Sequence, residues 1–143
     1  MTAKEYLQQV RRLRIRMETL ADRAQAFRMK VEGIKAVTYD GDRVQTSTVN
    51  RTEEMVSRLV DLEARYANAL AAYNDAVLER EQRIEAIEDD RQEAVLLLRY
   101  IMEMGWEDIA ERLGYSYRNV TRLHGKALNA FACRWKDVLE CPM

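Results

Sequence analysis

The residues best suited to chemistry lie between Trp106 and Leu128, in the run WEDIAERLGYSYRNVTRLHGKAL. Tyr117, Arg118, Asn119, Thr121, Arg122 and Lys126 crowd into a single short segment. Guanidinium groups fit the two acceptors of a guanine edge, a carboxamide fits adenine or a phosphate, and Tyr or Thr can meet a thymine methyl or a phosphate. These side chains act together only if a helix holds them on one face. Val120, Leu123 and Ala127 supply the opposite, buried face at spacings of three and four. Ser116 stands where a hydroxyl can accept a backbone N–H of the following turn and so start that helix. Upstream, Ile109, Ala110 and Leu113 turn one side of an earlier helix inward. Gly114 then sits where a tight turn between crossing helices needs a positive φ. The pattern predicts a helix-turn-helix unit that reads double-stranded DNA from the major groove, with the helix after Ser116 as the reading element.

Net charge is only −1 over 143 residues, so bulk charge does not point to nucleic acid. Its distribution does. No acid occurs between Glu111 and Asp137, while Arg112, Arg118, Arg122, Lys126, Arg134 and Lys136 are all positive. A local basic surface of this kind is the footprint a DNA binder needs. The competing reading is a solvated helix face.

The elements that must carry this unit are all helical, as one Pro, five Gly and a third of the residues charged would suggest. Residues 3–36 repeat Tyr6, Val10, Leu13, Met17, Leu20, Ala24, Phe27, Val31 and Ile34 in four-three alternation, the seam of a coiled coil. Arg11, Arg12, Arg14, Arg16, Arg23 and Arg28 flank that seam, and are expected to pair with an acidic neighbouring helix. Residues 37–50 break the period at Asp40-Gly41 and read as a loop, with Val44 to Val49 suited to an extended strand. Helix restarts at Asn50 or Thr52, Asn50 and Glu53 fitting a capping box. It runs to about residue 88 along Met55, Leu59, Leu62, Tyr66, Leu70, Tyr73, Val77, Ile84 and Ile87, with Arg80 as an interruption. The first helical segment carries net +5 and residues 50–93 net −6, which favours an antiparallel hairpin. The acids between Glu79 and Asp90 read as a salt-bridged helix face, since the ligand spacing of a loop-type cation site is missing. A boundary falls at Glu88-Asp89-Asp90. A third helix over 90–103 turns Ala94, Val95, Leu98 and Ile101 inward, and the last helix continues through Phe131, Trp135 and Leu139.

Little suggests catalysis. His124, the one histidine, lies on the reading helix and is expected to face solvent or phosphate. No nucleophile–base pair, glycine-rich phosphate loop or metal spacing occurs, so no enzyme, cofactor or metal is expected. Cys133 and Cys141 stand eight apart with no histidine cluster; Cys133 reads as a small packing residue. No apolar run suits a bilayer and no signal-peptide pattern opens the chain, so a reducing cytoplasm is the default expectation.

Residues 89–131 resemble region 4 of the sigma-70 family. The likeness rests on Asp108-Ile109-Ala110, Leu113-Gly114, Ser116, Val120 and Lys126-Ala127-Leu128. The resemblance implies base and backbone contacts at Tyr117, Arg118, Thr121 and Arg122, with Lys126 further along, and a phosphate near Ser116. It departs from the family at Tyr117, commonly charged there, at Arg118, often an acid, and at His124 and Gly125. The residues before 89 lack the aromatic-rich basic helix that strand opening needs. A helical N-terminal part ahead of this module is similar to small phage-encoded regulators of the late-gene activator type, as is the polar segment DRVQTSTV. That resemblance implies the cytoplasm of a bacterial host. The expected architecture is therefore all-α. Residues 1–88 form a long antiparallel, coiled-coil-like hairpin for oligomerisation or partner docking. Residues 89–143 form a three- to four-helix region 4-like DNA-binding domain. Expected partners are double-stranded DNA, RNA polymerase and a second copy of the chain, a dimer. A small-terminase-type packaging component and a structural coiled-coil adaptor are the alternatives.

Overall fold

The computed structural model describes residues 1–39 and 46–139. They form α1 (Ala3–Tyr39), α2 (Thr46–Glu85), α3 (Asp90–Leu96), α4 (Trp106–Leu113) and α5 (Tyr117–Arg134), with a π-helical turn at Leu97–Ile101 directly after α3. No strand occurs among the described residues. The protein is all-helical, a long N-terminal helical region preceding the helix-turn-helix. Two compact units result: Leu13–Ala72, and Met1–Arg12 together with Tyr73–Met143.

In the first of these, α1 and α2 run antiparallel. Arg23 lines a recess with Ala64 and Arg65, whereas Lys30, further along α1, lines one with Arg51 and Glu54. Leu20, Ala24, Val31 and Ala69 are buried, and Met17, Phe27, Met55, Leu59, Leu62 and Tyr66 half-buried, as two helices with no third layer dictate. Arg28 pairs with Glu63 across the helices. The charge pairing expected of the other Arg residues is not general: Arg14 bridges to Glu18 on its own helix.

Helix extends further into residues 37–50 than the composition predicts. Residues 37–39 and 46–50 are helical, not loop or strand, and Asn50 lies inside α2 and caps nothing. Thr, Ser and Val each cost a helix only about half a kcal/mol relative to Ala, and adding a residue to an existing helix avoids the cost of nucleation. Asp40-Gly41 and the first residues of DRVQTSTV lie outside the described residues.

In the second unit the first turns of α1 belong to the same core as the C-terminal helices. Ala3, Tyr6 and Leu7 pack with Ile84, Leu96, Val120 and Phe131. Tyr6 stacks on Phe131 with ring centres 6.1 Å apart. Arg80 does not interrupt the α2 stripe but completes it. It is buried, its Nε donates to the Tyr6 carbonyl at 3.3 Å, its Nη2 to Gln9 Oε1 at 2.6 Å, and its guanidinium lies 4.1 Å from the Tyr6 ring centre. Thus a cation is buried with two of its donors hydrogen-bonded and a ring beneath it, which offsets part of its desolvation. The Tyr6 hydroxyl donates to Glu79 Oε1 at 2.5 Å; burial first, and that bond second, push its pKa up to about 12. Glu79 also bridges to Arg83, so the acids of this stretch are partly spent on internal pairing.

Candidate nucleic-acid interface

The module begins where Asp89 caps α3, its carboxylate accepting the N–H groups of Arg91 and Gln92. Its third helix is not regular to residue 103. After Leu96 the backbone widens, Met102 N–H reaching back to the Leu97 carbonyl and Met104 N–H to that of Leu98. Glu103 closes the turn in the left-handed region, with φ 53°. The wider turn changes the phase of the apolar residues: Leu96 and Tyr100 are buried, while Ile101 is only half-buried.

α4 follows, with Glu107 and Asp108 at its positively polarised N-terminus. Ile109 and Ala110 are buried and Leu113 half-buried, as the sequence predicts. Gly114 ends the helix at φ 71°. Its N–H and that of Tyr115 return to Glu111 and Ala110, closing the helix with a left-handed cap. Ser116 caps α5, its hydroxyl accepting the Asn119 N–H at 3.2 Å. Val120 and Ala127 are wholly buried, and Leu123 packs against the same core.

The outward face then carries the predicted set. Tyr117, Arg118, Asn119, Arg122 and Lys126 are exposed, as is Ser116. Thr121 departs from the expectation. It is half-buried and its hydroxyl donates to the Arg118 carbonyl at 2.9 Å, leaving its methyl and lone pairs for a partner. Arg118, Arg122 and Lys126 make no ion pair with the described residues. Asn129, seven residues beyond Arg122, is exposed and continues the Arg118–Arg122 stripe past Lys126. The helical period alone would have found it.

His124 is the clearest correction. It turns inward, sharing a 2.7 Å hydrogen bond between Nε2 and the Tyr100 hydroxyl and meeting the Trp106 ring edge-on at 4.5 Å. Arg99 lies over the other partner, 4.2 Å from the Trp106 ring centre, and donates to the Met104 carbonyl. This cluster ties the π-helical turn to α4 and α5. Burial first, then the charges of Arg99 and Lys4, lower the His124 pKa to about 4. Burial also raises Tyr100 to about 12. The unfolded imidazole takes a proton near pH 6.5 and the folded one resists to about 4, so stability falls as pH drops through that window and levels off below it. With the ring still partly solvated, the loss is about 1–2 kcal/mol. Urea titrations between pH 7 and 4 should show this loss in the wild type and its absence in His124→Gln.

A side chain at Gly125 would meet nothing within 4 Å, so no internal packing requires a glycine there. Gly125→Ala is expected to stabilise by about 0.5–1 kcal/mol. Gly114→Ala is expected to destabilise by about 1–2 kcal/mol because the left-handed backbone opposes a side chain. Thermal unfolding should move in opposite directions for the two.

The last helix stops at Arg134, earlier than its apolar spacing implies. Trp135 leaves helical geometry, and its indole N–H donates to the Arg83 carbonyl at 3.0 Å. Leu139 is buried beyond a turn. Cys133 is not a packing residue: it is exposed.

A capped helix crossing a second one at a left-handed glycine, behind an entry helix, defines the class as a helix-turn-helix module. Residues 89–130 match the family model described as Sigma-70, region 4, a segment running from the cap of α3 into the last turns of α5. That segment is a sigma-70 region 4-like module, a DNA-binding and non-enzymatic kind of unit. It covers under a third of the chain. No curated protein and no solved structure matches the chain. No helix among the described residues is long and apolar enough to cross a membrane.

Proposed function

We propose that this chain is a sequence-specific transcriptional regulator, encoded by a phage or prophage and acting in the bacterial cytoplasm, of the late-gene activator type. α5 enters the major groove. Arg118 and Arg122 take guanine edges, Asn119 an adenine or a phosphate, and Tyr117 and Thr121 thymine methyls or phosphates. Ser116 sets the helix N-terminus near a phosphate and Lys126 contacts the backbone. Residues 89–143 act as the DNA-binding domain. Residues 1–88 pair two copies, so that two half-sites are read, and dock RNA polymerase.

The observation that supports this reading is the exposed, unpaired cationic face of α5 in a region 4-like module. Selection from a pool of randomised duplexes tests it. One enriched motif is expected, bound roughly a thousandfold or more above unrelated DNA at physiological salt. Recovery of no motif would contradict it. Light scattering separates the regulator, a monomer or dimer, from a packaging component, which assembles as a ring.

A further inference from the structure

Within Leu13–Ala72, two open recesses of about 590 and 740 Å³ share Phe27 and Arg58 and so form one groove along α1 and α2. Its floor is apolar: Phe27, Leu62 and Met55, all half-buried. Its rim is cationic. Arg23, Lys30, Arg51, Arg58 and Arg65 line it against only Glu54 and Asp61. None of the five cations makes an ion pair or hydrogen bond with the described residues, unlike neighbouring Arg28, which Glu63 holds. Charges flanking a helix pair ordinarily serve to bridge the two helices. Here they line the same recesses as a shared apolar floor.

We propose that this groove docks an acidic segment of another protein, carried on an extended or helical stretch with large apolar side chains. The charge selects acids, and the floor selects apolar residues between them. Both halves of the argument narrow the occupant. A nucleic-acid backbone would use the cations but gains nothing from Phe27, Leu62 and Met55, since phosphates call for donors. The acid-rich stretch Glu79–Glu93 of a second copy offers the floor no apolar partner, since its Ile84 and Ile87 are buried in its own core. The inference is independent of the DNA-binding reading, because none of these residues belongs to α5.

The test uses the full chain and a short fluorescent peptide in which Glu and Asp alternate with Leu and Phe. Saturable binding is expected, weakened at least tenfold in Arg58→Glu and in Arg23→Glu, and reduced several-fold by raised salt. Both positions are exposed, and unchanged helical circular dichroism confirms that each variant is folded. A peptide with Ser replacing Leu and Phe should bind at least tenfold less tightly. Three results would overturn the proposal: no saturable binding, equal affinity for the Ser peptide, or variants that lose affinity for random duplex DNA while keeping it for the peptide.

Discussion

Arg122→Ala and Arg118→Ala are each expected to lower affinity for the selected DNA site by about tenfold to a hundredfold, the loss of one proposed base-edge contact of roughly 1–3 kcal/mol. Both side chains are exposed and unpaired, so truncation leaves no buried partner stranded and the fold intact. The loss expected is therefore that of a direct contact. It is accompanied by relaxed preference at one position of the site, whereas Lys126→Ala weakens all duplexes alike and reduces the salt slope by about one. Fluorescence anisotropy on the selected duplex and on single-base variants separates these outcomes. Equal weakening on every duplex by both arginine variants would reassign them to the backbone.

The largest stability effect is expected at Phe131. It is the bulkiest of the fully buried side chains, and it stacks on Tyr6 and so joins the start of α1 to α5. Phe131→Ala removes that contact and leaves a cavity, at a cost of about 3–5 kcal/mol. Against a total stability of about 5–15 kcal/mol, this is a large share. A fall in Tm on the order of 15 °C is expected by circular dichroism, with Phe131→Leu losing far less. DNA binding is lost with the fold and not separately from it. A small shift would mean that the first turns of α1 are not part of this core.

The helix-turn-helix was readable because its signals are local. Gly114, Ser116 and the Val120–Leu123–Ala127 spacing each act within a turn or two, and the structure uses all of them as the sequence implies. What sequence reading missed depends on partners far along the chain. His124 reads as facing solvent or phosphate because it is polar, yet it stands four residues after Val120 and three before Ala127 on the buried face, where Tyr100 and Trp106 arrive from other elements to partner it. Arg80 reads as a break in an apolar stripe until Tyr6 and Gln9 supply acceptors and a ring. The run Leu96-Leu97-Leu98 is apolar on every side, so it conceals where the backbone widens into a π-helical turn. Leu7 lies beside the heptad positions rather than on them, and gains a burial role because the C-terminal helices cover it. The groove on Phe27 was the least legible, since each of its cations looks like an ordinary coiled-coil flank in isolation.

Methylation interference at guanine N7 on the selected duplex tests the account most directly, because N7 lies in the major groove where α5 is held to enter. The prediction is that methylating particular guanines blocks the wild-type protein, and that one of those positions becomes indifferent in Arg122→Ala. Interference confined to adenine N3 in the minor groove, or none at any base, would contradict it.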